Sequence, residues 1–294
     1  MNDRQRALLL TALGATLLSP DALALRWISA DPLHVLAWRG VFMATGIGAV
    51  LFARYRSRLL LMLMRCGWVG VGCALCYCVS TICFLQAMAR AGAASTLMIY
   101  SVSPLVAGLA SWAWLGERLP LRSVMAIASC AAGITLIVID DTPGADLVGN
   151  VFALCGAALL ALNFTLARSR PHLDMSPALM PGALLAALFA FVAGGVPVLA
   201  GSELLVLSMM AGILLPLGFI LLQLGPRSLG ATEVGLLLLL EVVLGPLWVW
   251  MVLDEAPGFF VLVGGAIVIT TLVAHALAGW RSAAQSSPAL TSNK

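Results

Sequence analysis

The sequence predicts an all-α integral membrane protein of ten transmembrane helices, built as two inverted five-helix repeats, and three observations predict it. Apolar runs of about twenty residues, the length that crosses a bilayer, recur along the chain with short polar breaks between them. Cationic residues gather on one side of the membrane that those runs define. The second half of the chain echoes the first at a near-constant offset.

Composition sets the frame. Of the 294 residues, 62% are hydrophobic and 10% charged, where a soluble domain of this size carries roughly a quarter charged residues. Fifteen of the sixteen cationic residues are arginine, and the one lysine is Lys294. A Walker A loop needs a lysine on the nucleotide phosphates and a Schiff-base enzyme needs one as nucleophile, so both chemistries are excluded. No GxSxG, HExxH or glycine-rich phosphate loop is present, and His34, His172 and His275 have no ligand spacing. Cys73 and Cys76 form a CxxC on one membrane helix, without a second CxxC or a nearby histidine. They read as small packing residues of a reducing compartment. No metal, cofactor, enzymatic activity or nucleic-acid partner is expected.

The elements follow in order. Arg4 and Arg6 precede an apolar run from Ala7 to Ile28 that no small-residue cleavage site ends, so it reads as a retained first helix. The spans are 7–28, 33–53, 67–89, 92–115, 121–139, 147–168, 177–199, 204–224, 231–253 and 257–278. Their connections are short, leaving no mass for a soluble domain, and the serine-rich segment 279–294 is expected to be a disordered cytoplasmic tail.

With ten spans and both termini cytoplasmic, Arg4, Arg6, Arg54, Arg56, Arg58, Arg65, Arg118, Arg122, Arg168, Arg170, Arg227, Arg281 and Lys294 all fall on the cytoplasmic side. The other face keeps Arg26, Arg39 and Arg90 together with Asp140, Asp141, Asp146, Glu203, Asp254 and Glu255. That is the positive-inside pattern of a multi-pass protein, here expected in a bacterial cytoplasmic (inner) membrane. A miscounted span would scramble it.

The repeat divides the chain into 1–140 and 147–278. An offset of 138 places Gly92-Ala93 on Gly230-Ala231, Trp112 on Trp250, Leu115 on Leu253 and Glu117 on Glu255. An offset of 142 places Gly14-Ala15 on Gly156-Ala157, Asp21 on Asn163 and Arg26 on Arg168. Because five is odd, the second half enters the membrane inverted, an architecture whose halves can exchange conformations around a midplane site.

These residues resemble the EamA family of the drug/metabolite transporter superfamily. The resemblance rests on Gly92–Pro120, with Pro104 in mid-span and Leu-Gly-Glu at 115–117, and on Trp38-Arg39-Gly40 after Pro32. Where such proteins often carry Glu-Pro in the ninth helix, this chain has Glu241-Val242 with Pro246 further on, which displaces any kink. The resemblance implies a carrier without ATPase activity that exports amino acids or related metabolites by alternating access. A broad-specificity drug efflux carrier is the alternative. An intramembrane lipid-modifying enzyme would need a concentrated catalytic constellation, and a channel would need rings of like polar residues.

Candidate site residues are the polar groups at membrane depth. A carboxylate at the centre of a bilayer costs on the order of 2.5–3.5 kcal/mol, so Glu241, mid-way along span 9, must meet a partner, a wet cavity or a proton. It reads either as a coupling and solute-anchoring site or as a neutral interhelical hydrogen-bonding group. Asp21 follows Pro20, which frees a backbone carbonyl. It either shares a solute site with its counterpart Asn163 or pairs with Arg26 or Arg39 as a gate or ion pair. Tyr77, Ser80, Thr81 and Phe84 share one helical face, and Tyr100 and Ser103 add hydroxyls from span 4. Gln223 is a further candidate for solute contact. For the hydroxyls and the amide, ordinary hydrogen bonding between helices is the reading to be overcome. Gly40, Ala44 and Gly48 form a small-residue stripe for close helix contact, within one chain or in a homodimer.

Overall fold

The computed structural model describes residues 3–116, 121–140 and 147–253, with residues 259, 263–264, 266–267, 270–271 and 273–274 beyond them. All regular structure among these residues is helical. Six helical stretches are long and apolar enough to cross a membrane: Arg4–Trp27, Pro32–Ala93, Leu147–Arg168, Ser176–Gly194, Gly201–Arg227 and Glu233–Leu253. Val106–Leu115 and Val124–Gly133 are shorter apolar helices. Most of the expected span 257–278, the tail 279–294 and the Glu117–Glu255 correspondence lie outside the described residues.

Proline and glycine divide the helices. The first expected span is two helices, α1 (Asp3–Leu18) and α2 (Asp21–Trp27). Pro20 has no N–H for the Thr16 carbonyl, which instead accepts from the Ser19 hydroxyl at 2.7 Å. Helix α3 (Pro32–Tyr55) starts with Pro32 in its first turn and Asp31 capping the Leu33 amide at 2.8 Å. Helix α4 (Leu59–Tyr100) runs through two expected spans, broken at Gly67 (φ 54°) and Gly92 (φ 79°). Only glycine enters that left-handed region without strain, and the chain kinks at each of the two positions.

Helix α5 (Ser103–Ala110) restarts after Ser101-Val102, with Pro104 in its first turn, and ends in a π turn over Ser111–Leu115. Helices α6 (Leu121–Asp140) and α7 (Leu147–Arg168) match their expected spans closely. Helix α8 (Leu179–Gly194) stops short of the expected residue 199, because Gly195 turns the chain at φ 73°. Helix α9 (Gly201–Met209) and α10 (Leu215–Leu224) flank a π turn over Met210–Leu214. Pro216 supplies the cause: it cannot bond the Gly212 carbonyl, which faces Gly46 of α3 instead. Helix α11 (Ala231–Leu253) is continuous, so Pro246 does not break it.

Packing follows the logic of a lipid-facing bundle, with small residues inside and large apolar ones outside. Ala15, Ala157, Ala186 and Ala211 are wholly buried, while Trp68 is 90% and Val192 78% exposed. The principal partners are α4 with α7, α3 with α8, α1 with α10 and α4 with α8, followed by α5 with α7, α1 with α11 and α5 with α11. The stripe Gly40–Ala44–Gly48 is used within the chain: a side chain on Gly40 would meet the Ala183 carbonyl of α8 at 2.7 Å.

Candidate functional site

Two helix breaks frame the site. Leu18 and Asp21 flank the Ser19-Pro20 break, Tyr100 and Ser103 flank the break before α5, and all four line one internal cavity. Irregular backbone at membrane depth is tolerated where it borders such a cavity. From α4 come Tyr77, Ser80, Thr81 and Phe84, the face expected from their spacing; Arg39 comes from α3 and Glu241 from α11.

Arg39 and Asp21 form a fork-to-fork ion pair, with Nη1 donating to Oδ1 at 2.5 Å and Nη2 to Oδ2 at 2.8 Å. Both side chains are 4% exposed. The pair resolves one ambiguity of the sequence, since Arg39 rather than Arg26 is the partner of Asp21. Bidentate geometry is what makes a desolvated pair tolerable; removing one member of such a pair typically costs roughly 3–5 kcal/mol. The Arg39 Nε donor has no hydrogen-bond partner among the described residues, and its Cζ lies 6.0 Å from the Phe84 ring centroid.

Glu241 is within electrostatic reach of both Arg39 and Asp21. Since that pair cancels its own charge, an ionised Glu241 leaves the cavity one negative charge in excess. No hydrogen-bond donor meets its carboxylate among the described residues. A proton or a cationic group is the natural complement.

The hydroxyls divide by role. Ser80 Oγ donates to the Gly156 carbonyl of α7 at 2.9 Å, and the Tyr100 hydroxyl donates to the Ser80 carbonyl at 3.0 Å, so both brace the bundle. Tyr77 meets Phe219 edge to face at 5.1 Å, as Phe84 meets Tyr100. The apolar wall, Leu97, Leu160, Leu215 and Phe219 with Leu238, Leu239 and Val242 around Glu241, is the part that sequence reasoning missed. The cavity holds about 50 Å³, room for a few waters at roughly 10–15 Å³ each, and it must widen to admit an organic molecule.

Three expected site residues stand elsewhere. Asn163 is buried in the α4–α7 contact, donating through Nδ2 to the Cys73 carbonyl at 2.8 Å. Gln223 is buried on α10, its Nε2 without a partner among the described residues. Arg26 lines a separate pocket of about 460 Å³ with Ser29, Val35, Met88 and Ala89. At the opposite end a pocket of about 450 Å³ is lined by Arg6, Arg54 and Arg227. Among the described residues no group of three or more His, Cys, Asp or Glu side chains is placed to hold a metal ion.

Residues 5–139 match the family model described as the EamA-like transporter family. Comparison with curated proteins gives no match. A solved crystal structure superposes with a TM-score of 0.75 at 19% identity, covering 95% of this chain and 99% of its own, a likeness that shows the fold alone. The match assigns residues 5–139, a little under half of the chain, to the EamA-like transporter family of the drug/metabolite transporter superfamily.

Proposed function

We propose that the chain is a secondary carrier that exports amino acids or related small metabolites across the bacterial cytoplasmic membrane by alternating access. The observation that carries this reading is the composition of the central cavity. It sets one uncompensated carboxylate, Glu241, and one unpartnered guanidinium donor, Arg39 Nε, against a Leu and Phe wall. An ammonium on Glu241, a carboxylate on Arg39 and an apolar side chain against Leu215 and Phe219 would use all three features.

Alternating access in this reading comes from ten spans in two inverted repeats, 1–140 and 147–278, with both termini cytoplasmic. The packing pattern supports it. Exchanging each span with the one five later turns the α1–α10 contact into α7–α4 and returns α3–α8 and α5–α11 to themselves. Ser129 hydrogen-bonds Thr271 at 2.9 Å, and these two residues correspond at the offset of 142. Gly14 lies against Gly218 and Leu221, and Gly156 against Ser80 and Cys83, which are the corresponding residues. Basic residues concentrated on the side of Arg4 and Arg6 support the orientation.

A second reading, efflux of lipophilic cations, draws on the same Glu241 and on the aromatic rings of Tyr77, Phe84 and Phe219. Counterflow in proteoliposomes tests both. The carrier reading expects labelled phenylalanine or leucine uptake that saturates and is accelerated by the same amino acid loaded inside. Movement of a cationic dye with no amino-acid exchange would select the second reading, and flux that never saturates would sink both in favour of a pore. An imposed pH gradient is expected to change the wild-type rate if Glu241 exchanges its proton with the solute.

A further inference from the structure

The pocket lined by Arg6, Arg54 and Arg227 has no part in the central cavity, and its three arginines come from three separate segments. Arg6 comes from α1, Arg54 from the end of α3 and Arg227 from the short 3₁₀ turn Gly225–Arg227 after α10. Two of the guanidiniums are held in place. Arg54 Nη1 lies 3.5 Å from Asp174 Oδ2, and Arg227 Nε donates to the Pro171 carbonyl at 3.4 Å. Asp174 also accepts from the Tyr55 hydroxyl at 2.6 Å and the Ser176 amide at 2.9 Å, and its single negative charge offsets one of the three arginines. Leu10, Leu224 and Pro171 add apolar lining to the same pocket.

The molecule contains its own control. At the offsets of the repeat, Arg227 corresponds to Ala89 and Pro171 to Ser29, and both of those residues line the pocket on the other face. The two pockets are alike in size, about 450 and 460 Å³. Only one has gathered three arginines beside apolar lining. A planar carboxylate fills one guanidinium fork, whereas a tetrahedral phosphate offers oxygens in several directions to donors arriving from separate segments.

We propose that the Arg6–Arg54–Arg227 pocket binds a phosphate group carried on an amphipathic molecule, either the headgroup of an acidic phospholipid or a free phosphate ester. The test is direct binding to the purified full-length protein in neutral detergent, so its outcome is independent of transport. The probes are short-chain phosphatidylglycerol, short-chain phosphatidylcholine and inorganic phosphate. Phosphatidylglycerol is expected to bind more tightly than phosphatidylcholine. The triple variant R6Q/R54Q/R227Q should lower that affinity on the order of a hundredfold, at about fivefold per arginine. The triple variant R56Q/R58Q/R65Q removes the same charge from the same face outside the pocket and should leave the affinity within about twofold.

Displacement by inorganic phosphate would assign recognition to the phosphate alone. Binding that phosphate cannot displace would assign it to the lipid as a whole. Equal affinity for the two lipids, or equal loss in both triple variants, overturns the proposal and leaves these arginines as determinants of topology. Should R6Q/R54Q/R227Q fail to fold, Ser228→Trp, which adds bulk to the pocket lining without changing charge, is expected to exclude phosphatidylglycerol; undiminished binding in it overturns the proposal equally.

Discussion

Two helix contacts that the proposed repeat would relate, α1 against α10 and α4 against α7, are made of different chemistry. The first is an apolar seam in which Gly14 meets the Gly218 carbonyl and Leu221, with Leu18 closing over Gly218. The second is stitched by Ser80 Oγ on the Gly156 carbonyl, Asn163 Nδ2 on the Cys73 carbonyl and the Cys73 thiol on the Asn163 carbonyl. In lipid, van der Waals contact holds both seams, but only the second adds hydrogen bonds that must break before the helices part. In the proposed alternating-access carrier, the two ends therefore need not open at equal cost.

Four substitutions probe that difference, each read as thermal or denaturant stability in detergent, in descending order of expected effect. Gly156→Ala places a methyl against the Tyr100 hydroxyl and Cys83 and displaces the partner of Ser80. It is expected to cost about 3 kcal/mol, the upper end for overpacking. Asn163→Ala removes the bond to Cys73 and should cost about 1–2 kcal/mol. Gly218→Ala pushes on Leu18 and the Gly14 carbonyl, yet α1 can yield without losing a hydrogen bond, so the expected loss is about 1 kcal/mol. Ser80→Ala removes one interhelical bond and should cost about 0.6 kcal/mol. If Gly218→Ala proved as damaging as Gly156→Ala, the seams would be equivalent and the distinction would fail.

The sequence made the charged part of the site legible, and physics explains why. A charge at membrane depth is costly, so Asp21, Arg39 and Glu241 stand out from an apolar background and demand partners. The face Tyr77–Ser80–Thr81–Phe84 was equally readable, because helical spacing alone sets it. The apolar wall was not: Leu97, Leu215 and Leu238 look like every other leucine in a chain where every span is leucine-rich. Asn163 shows a different limit. Its correspondence to Asp21 placed it at the site, but an amide in lipid takes the nearest free carbonyl, and the Cys73 carbonyl is at hand. The helix break at Pro20 was legible from residue type, whereas the early end of α8 at Gly195 fell inside the expected span 177–199, where the apolar run outweighed the Gly194-Gly195 and Pro197 signals.

The claim on which the rest depends is that solute rides in the cavity beside Glu241. Counterflow of phenylalanine through wild-type protein and Glu241→Gln, at matched stability and matched reconstitution, tests it most directly. Removing the one acceptor charge for an ammonium is expected to slow exchange at least about tenfold while the protein stays folded. Exchange at the wild-type rate through folded Glu241→Gln would contradict the account.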